Sequence, residues 1–183
     1  MKFCSECGGS NQRIIPEGDE RLRDVCTQCK TIHYQNPRII AGVIPVYRDK
    51  VLLCRRAIEP RAGYWTLPAG FLENGETTEA GALRECWEEA RAKPAVGELF
   101  GLFNIPHIHQ VYLFYLATLD KPEFGIGPES TEVELFSEDD VPWTQMAFPV
   151  VEWALHHFFE DRENGVRQLH HLEITTPWRW LRS

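Results

Sequence analysis

Two groups of residues in this chain have the types and the spacing that hold metal ions. The first consists of two Cys-x-x-Cys motifs, Cys4 with Cys7 and Cys26 with Cys29, separated by 18 residues. Each motif brings two thiolates onto one tight turn, as a tetrahedral zinc site requires. Disulfides or free thiols are the alternatives, but the N-terminal residues contain no export signal, so we expect a reducing, cytoplasmic compartment and zinc. Four thiolates leave no open coordination position, so the ion is expected to be structural.

The second group is a set of glutamates in residues 77–92, a segment that predicts a helix. On a helical wheel Glu85, Glu88 and Glu89 fall within an arc of about 100°, and apolar residues such as Trp87 are expected to pack on the core from the opposite side. Carboxylates at positions i, i+3 and i+4 are hard oxygen ligands that suit Mg2+ or Mn2+. The alternative is an ordinary solvated helix face.

The net charge of −8 over 183 residues is distributed unevenly. Residues 70–92, which contain the glutamates, carry −4, residues 120–141 carry −7, and the rest of the chain carries +3. An acidic chain is a poor match for a nucleic-acid backbone, and residues 1–37 have five acids and five bases, so we expect no nucleic-acid partner. No apolar run approaches the roughly 20 residues of a membrane span, so we expect no membrane partner.

The remaining pattern predicts an α/β fold in three parts. We assign residues 1–34 to a zinc ribbon, residues 38–162 to a catalytic domain and residues 163–183 to a C-terminal tail. Hydrophobic periodicity predicts strands at 38–47, 51–56, 65–71, 99–105, 111–119 and 132–137, and helices at 77–92 and 148–162.

The glutamate helix belongs to a longer motif. Gly70, five residues, Glu76, seven residues and Arg84-Glu85-Cys86-Trp87-Glu88-Glu89 resemble the Nudix box of the Nudix hydrolases, apart from Arg91, which stands where that family has the glycine that ends the helix. The resemblance implies an α/β/α sandwich with a mixed sheet, preceded by a small zinc ribbon. This combination is similar to the NADH pyrophosphatase branch, and Gly127-Pro-Glu-Ser130 is most similar to plant-type FAD/ADP-ribose pyrophosphatases.

The resemblance implies hydrolysis of a nucleoside diphosphate linked to another moiety, with release of AMP and with Mg2+ or Mn2+ as cofactor. It makes Glu85 and Glu89 direct metal ligands, Glu88 a ligand or a partner through water, and the Ala69 carbonyl a further ligand. It also implies one more glutamate after the box, as metal ligand or general base. Glu129 matches that position best.

Several residues around the box have expected supporting roles. Glu132 is the alternative to Glu129 as the additional glutamate. Gly70 and Glu76 are structural in the motif, and Arg84 is expected to pair with Glu76 or Glu88.

The substrate-binding residues are less closely defined by the sequence. Arg55 and Arg56 are adjacent on a predicted strand, so they point to opposite faces and at most one can meet a substrate phosphate. Trp65 is a candidate for stacking on a base, although a core role is the alternative, and His107 lies in a loop that could form the wall of a pocket. The residues from 103 to 112 lack the Ser-Gln-Pro-Trp-Pro-Phe-Pro-type signature of NADH pyrophosphatases, which favours ADP-ribose or FAD as the substrate.

Two alternatives remain open at this point. The chain could be an NADH pyrophosphatase or another Nudix nucleotide hydrolase, or a zinc-ribbon nucleic-acid-binding module with an inactive Nudix domain. The resemblance also implies a homodimer.

Overall fold

The structure, a computed structural model, describes residues 1–175 of the chain. Residues 176–183, which include the two tryptophans of the predicted C-terminal tail, lie outside the described part. The chain divides into two compact units, Met1–Asn36 and a larger unit that begins at Pro37. The four cysteines of the two Cys-x-x-Cys motifs belong to the first unit, and the glutamate cluster belongs to the second.

The first unit is a three-stranded antiparallel sheet of β1 (Asn11–Ile14), β2 (Arg23–Cys26) and β3 (Ile32–His33), with β2 in the middle. Its buried apolar side chains are Cys4, Val25 and Cys26. So small an apolar interior supplies little folding free energy, and metal binding is the usual source of the remainder in units of this size.

The second unit is built on a mixed sheet of eight strands. In chain order its elements are β4 (Arg38–Tyr47), β5 (Lys50–Arg56), β6 (Trp65–Thr66), β7 (Ala69–Phe71), α1 (Thr78–Ala90), β8 (Ala95–Ile105), β9 (Gln110–Thr118), β10 (Ser130–Phe136), α2 (Pro149–Asn164) and β11 (His170–Glu173). The strand order is β10-β5-β4-β9-β8-β11, with β6 paired to β5 and β7 to β4. The β4–β9 and β8–β11 pairs are parallel and the others are antiparallel. The predicted α/β fold with a mixed sheet is confirmed.

Side-chain alternation along the strands separates the core into two layers, one on each face of the sheet. On β5, Val51 and Leu53 pack in the cluster that contains Leu155 of α2, whereas Leu52 and Cys54 pack with Cys86 of α1. Because successive strand residues point to opposite faces, the two helices cover opposite sides of the sheet. None of the helices among residues 1–175 is both long and apolar enough to cross a membrane.

Helix α1 contacts the sheet through small residues. Ala82 and Cys86 are fully buried, whereas Trp87 is 41% exposed, so the expectation that Trp87 packs on the core is wrong. Small side chains let the helix axis approach the sheet closely, which a buried indole would prevent. The indole lies outside, where the charged groups of Arg91 and Lys93 are 5.3 and 4.6 Å from the ring centre.

The end of α1 accommodates the one departure from the Nudix box. Arg91 has φ 50° and ψ 24°, the left-handed conformation that glycine ordinarily supplies, and its N–H donates to the Trp87 carbonyl at 3.0 Å. A non-glycine residue adopts this conformation at a cost of about 1–2 kcal/mol. The helix therefore ends in the same geometry that a glycine would give.

The part of the chain assigned to a C-terminal tail contains an additional strand. Helix α2 continues to Asn164 and ends at Gly165, and β11 then returns to pair in parallel with β8, with His170 opposite Gly101. The strand β11 leaves no hydrophobic pattern in the sequence, because it has only four residues, three of them polar. Its pairing partner is about 70 residues away in the chain.

Candidate active site

A cavity of about 720 Å³ lies where β7, α1 and the start of α2 meet the central strands. The side formed by α1 and the loop before β10 is acidic, whereas the side formed by β8, β9, β11 and α2 is mainly apolar. The acidic residues of the first side are Glu85, Glu88, Glu89 and Glu129, and the apolar and aromatic residues of the second side include Ile105, Ile108, Tyr112, Phe148 and Ile174.

The backbone of β7 receives the two inner carboxylates. Glu89 is only 4% exposed, and its Oε2 accepts a hydrogen bond from the Ala69 N–H at 3.3 Å. The Glu85 carboxylate lies directly over Gly70, where a Cβ would be 2.3 Å from Glu85 Oε1. Gly70 is thus required by a close approach, and any side chain at this position would displace the carboxylate.

The carboxylates share a site that disfavours their charged forms. Burial, together with the charges of the neighbouring Glu85 and Glu129, raises the pKa of Glu89 to about 8. Burial also raises the pKa of Glu85, with additional contributions from Glu88 and Glu129. A divalent cation would relieve this repulsion, and the oxygen-only donor set, with the cradle over Gly70, fits Mg2+ or Mn2+.

Arg84 holds the outer part of the site together. Its guanidinium donates to Glu76 at 2.7 Å, to Glu85 at 2.7 Å, to Glu88 at 3.0 Å and to the Phe71 carbonyl at 3.1 Å. The Arg84 hydrogen bond is the main reason that the pKa of Glu76 falls to about 2. Arg84 was expected to pair with Glu76 or Glu88, and it donates hydrogen bonds to both.

The loop before β10 brings Glu129 to the carboxylates of α1. The Gly127 N–H donates to the Glu89 carbonyl at 3.0 Å, and a Cβ on Gly127 would be 1.8 Å from the Glu88 carbonyl oxygen, so no other residue fits this contact. On the other side the Glu129 carbonyl accepts from the Ala57 N–H at 2.8 Å. These bonds fix the backbone at both ends of the short segment, and Glu129 lines the cavity.

Glu132, the alternative to Glu129, is engaged elsewhere. Its Oε1 forms an ion pair with Arg55 Nη1 at 2.6 Å, and Arg55 Nε donates to the Gly63 carbonyl at 2.8 Å. Neither side chain is part of the cavity lining. Arg55 was a predicted substrate residue, but it points to the opposite side of β5, where it pairs with Glu132. It therefore lies outside the site.

Arg56 points the other way, as expected for neighbouring residues of a strand. It lines the cavity, its Nε donates to the Pro60 carbonyl at 2.9 Å, and its guanidinium lies 5.2 Å from the centre of the Phe148 ring. None of the ion pairs within residues 1–175 involves Arg56; burial raises the pKa of Glu89 and of Tyr112, and the charge of Arg56 offsets part of that rise. Arg56 is thus a cation held between the acidic and the apolar sides of the cavity.

The other two predicted substrate residues, His107 and Trp65, also differ in whether they line the cavity. His107 lines the cavity from the turn that connects β8 to β9. Trp65 does not, because it is 6% exposed and packs edge-on against Phe136 at 4.9 Å in the core. The core alternative for Trp65 is the observed one.

Several cavity residues are absent from the sequence-based candidates, among them Tyr112, Phe148 and Ile174 on the apolar side. Tyr112 lies in a predicted strand and Phe148 begins a predicted helix, and Ile174 directly follows β11, which the sequence pattern does not predict. A Tyr at an alternating position of β9 was the one available signal, since a buried phenol commonly requires a polar partner.

The cysteine cluster of the first unit has the geometry of a metal site. The Sγ atom of Cys7 is 3.5 Å from that of Cys26 and 3.4 Å from that of Cys29, and the Cys4–Cys29 distance is 3.6 Å. All four sulfurs lie within 4.8 Å of one another. A tetrahedron with Zn–S bonds of about 2.3 Å has edges of about 3.8 Å, whereas a disulfide requires about 2.05 Å. The arrangement fits zinc and excludes the disulfide alternative for these four thiols.

Removal of the ion is expected to unfold the first unit alone, because that unit has few buried apolar residues of its own and the second has a large core. After chelation, or in the variant Cys26→Ser, amide hydrogen exchange in β1, β2 and β3 should become fast while β4 and β9 keep their protection. Cys54→Ala is the matched control, since Cys54 is buried in the second unit. Retained protection of β2 in the chelated protein would contradict the zinc assignment.

Comparison with known proteins agrees with this arrangement. The family model described as NUDIX domain matches residues 36–155, and a model described as Nudix N-terminal, a zinc ribbon, matches residues 2–35. The crystal structure of a NUDIX hydrolase from Nitrosomonas europaea is 49% identical, covers 96% of this chain and 100% of its own, and superposes with a TM-score of 0.93.

Curated relatives carry two different functional names. A protein named NAD-capped RNA hydrolase NudC from Vibrio vulnificus is 30% identical over 78% of this chain and 53% of its own length. A protein named ADP-ribose pyrophosphatase from Methanocaldococcus jannaschii is 30% identical over 60% of this chain and 67% of its own. The chain thus spans about half of the NudC protein. One family match lies on each structural unit, the second unit being matched as far as residue 155, and the chain belongs to the Nudix family, as a NUDIX domain preceded by the Nudix N-terminal zinc ribbon.

Proposed function

We propose that this protein is a metal-dependent pyrophosphatase that hydrolyses a nucleoside diphosphate linked to another moiety and releases AMP. The observation that carries the proposal is the pair of neighbouring carboxylates, the half-buried Glu85 and the buried Glu89, facing a cavity that also contains the cation Arg56. A pyrophosphate repels attacking nucleophiles because of its own negative charge. An acidic cavity can hold it only when cations separate the two sets of negative charges.

The residues have distinct tasks in this proposal. Glu85 and Glu89 would hold the divalent ion, with Glu88 and the Ala69 carbonyl as further ligands. When bound, the ion neutralises the pyrophosphate and makes its phosphorus more electrophilic. Glu129 accepts the proton of the attacking water, Arg56 binds a phosphate oxygen, and Arg84 keeps the glutamates in position.

ADP-ribose or FAD is the substrate that we favour. The signature typical of NADH pyrophosphatases is absent, and one relative is named ADP-ribose pyrophosphatase. NADH or NAD-capped RNA is the second candidate, because other relatives are named NAD-capped RNA hydrolase. The apolar side of the cavity accepts a ring system in either case.

The wider assignments follow from the same reasoning. Zinc-binding cysteines that are not oxidised to disulfides favour the reducing cytoplasm, and a homodimer is proposed from the family resemblance. A nucleic-acid-binding module with an inactive domain is disfavoured, because the site retains its full set of carboxylates.

A substrate panel tests the proposal directly. The protein is incubated with ADP-ribose, FAD, NADH and NAD-capped RNA, each with Mg2+ and with Mn2+, and the release of AMP or of 5′-monophosphate RNA is measured. We expect ADP-ribose or FAD to have the highest kcat/KM and EDTA to abolish turnover. Rapid cleavage of NADH or capped RNA, with ADP-ribose and FAD intact, would favour the second candidate. No turnover together with tight RNA binding would favour the binding module.

A further inference from the structure

The apolar side of the cavity continues onto the last described strand. Ile105 of β8 lies opposite Gln110 of β9, and on the other side of β8 the Ile174 N–H donates to the Asn104 carbonyl at 2.8 Å. Ile174, just after β11, is 9% exposed, packs in the same apolar cluster as Ile105 and lines the cavity. The cavity wall therefore depends on a segment that is remote in sequence from the Nudix box.

A four-residue edge strand needs support beyond its own backbone hydrogen bonds, and the structure provides a short side-chain contact between His170 and Asp161. His170 Nε2 is 2.8 Å from Asp161 Oδ2 of α2, with the two side chains 10% and 9% exposed. Gln168 Nε2 donates to the other oxygen of Asp161 at 3.2 Å. The rings of His157 and Phe100 pack against His170 with centroid distances of 4.3 and 4.8 Å. These contacts join the end of α2 to the start of β11, and none of the five residues lines the cavity.

We propose that Ile174 is a specificity-determining residue of the substrate cavity and that Asp161 and His170 are the positioning pair that holds it there. This inference rests on the proposed function, since it concerns the same cavity. Ile174 shares the apolar side with Tyr112 and Phe148. That surface suits the organic part of the substrate, a ring or a sugar face, rather than its phosphates.

The two sides of the cavity are built from different layers of the core. Ile174 and the Asp161–His170 pair belong to the layer of α2, whereas Glu85 and Glu89 are on α1, across the sheet. Loosening β11 should therefore weaken substrate binding and leave the chemical step intact. A purely structural role would instead lower the amount of folded, active protein and reduce kcat.

Steady-state kinetics with ADP-ribose and Mg2+ tests the proposed role of Ile174 in substrate binding. Ile174→Ala is expected to raise KM by about 10-fold and to change kcat by less than about twofold, because it removes apolar contact that is equal in the ground and transition states. Ile174→Val, a milder change, is expected to raise KM by about twofold and guards against misfolding of the alanine variant. Leu169→Ala is the matched control on an exposed residue and should leave both parameters unchanged.

The positioning pair is tested by Asp161→Asn. We expect the same direction of change in KM, faster hydrogen exchange at the Ile174 amide, and unchanged exchange in α1. The double variant with Ile174→Ala should have a KM no higher than the worse single variant, because both changes remove the same contact. An unchanged KM in Ile174→Ala, a loss confined to kcat, or additive effects in the double variant would overturn the inference.

The two proposals fail in different ways. A wild-type protein that hydrolyses no dinucleotide contradicts the proposed function. Calorimetric titration of ADP-ribose in the presence of Mg2+, which such a protein would bind without cleaving it, then still measures the contribution of Ile174, with Ile174→Ala expected to weaken binding by about 10-fold. Equal affinity of wild type and variant would overturn the inference whatever the enzyme hydrolyses.

Discussion

Replacement of Glu129 by glutamine is expected to lower kcat by 10²- to 10⁴-fold, on the order of the contribution of a general base. Glutamine keeps the size of the side chain and cannot accept the proton of the attacking water. The backbone of the segment is fixed through Gly127 and the Glu129 carbonyl, so the loop should keep its place. Initial rates with saturating ADP-ribose and Mg2+ measure the effect, and KM is expected to change only a few-fold.

Glu132→Gln is the matched control for this prediction. Glu132 is three residues further along and is paired with Arg55 outside the cavity, so its replacement should change kcat by less than about twofold, as for other exposed ion pairs. A decrease of less than about 10-fold for Glu129→Gln would remove Glu129 as the general base. A large decrease for Glu132→Gln would transfer the assignment to that residue.

Glu89→Gln is expected to reduce kcat by about 10³-fold and to weaken the binding of Mn2+. Loss of a metal ligand removes several kcal/mol of charge stabilisation in the transition state, and about 4 kcal/mol corresponds to that factor. In EDTA at pH 7 the thermal midpoint should be unchanged. Burial raises the pKa of Glu89 to about 8, so at that pH the site favours the neutral acid, which glutamine resembles in shape and charge.

Titration of Mn2+ by calorimetry, together with the rate, distinguishes ligand loss from misfolding. Glu79→Gln serves as the control, since Glu79 is exposed in the first turn of α1 and is not part of the cavity. Full metal affinity in Glu89→Gln would contradict its assignment as a ligand. A lowered thermal midpoint in EDTA would point to a structural role for the carboxylate.

The carboxylate site could be predicted from the sequence because it depends on local spacing. Glu85 and Glu89 are one helical turn apart, and Gly70 precedes them at a fixed distance, so a short motif contains most of the geometry. Helix orientation could not be predicted in the same way. The wheel placed Trp87 inside, but the close contact of Ala82 and Cys86 with the sheet decides which face is buried.

The apolar side of the cavity lay beyond prediction from sequence for a different reason. Tyr112, Phe148 and Ile174 meet only through the strand order and the parallel return of β11, and neither leaves a local signal. The separation of Arg55 from Arg56 is an intermediate case. Alternation predicted that only one of them faces the site, and the ion pair with Glu132 shows which one does not.

The two ends of the large sheet have a consequence for association with other chains. Within residues 1–175 the outer strands are β10, which exposes Glu134, and β11, which has four residues and exposes His171 and Glu173. Short edges that carry charged side chains resist the addition of a further strand, which protects a protein against aggregation by edge-to-edge pairing. The proposed homodimer is therefore expected to form through helices, loops or the ribbon, and not as one continuous sheet across two subunits.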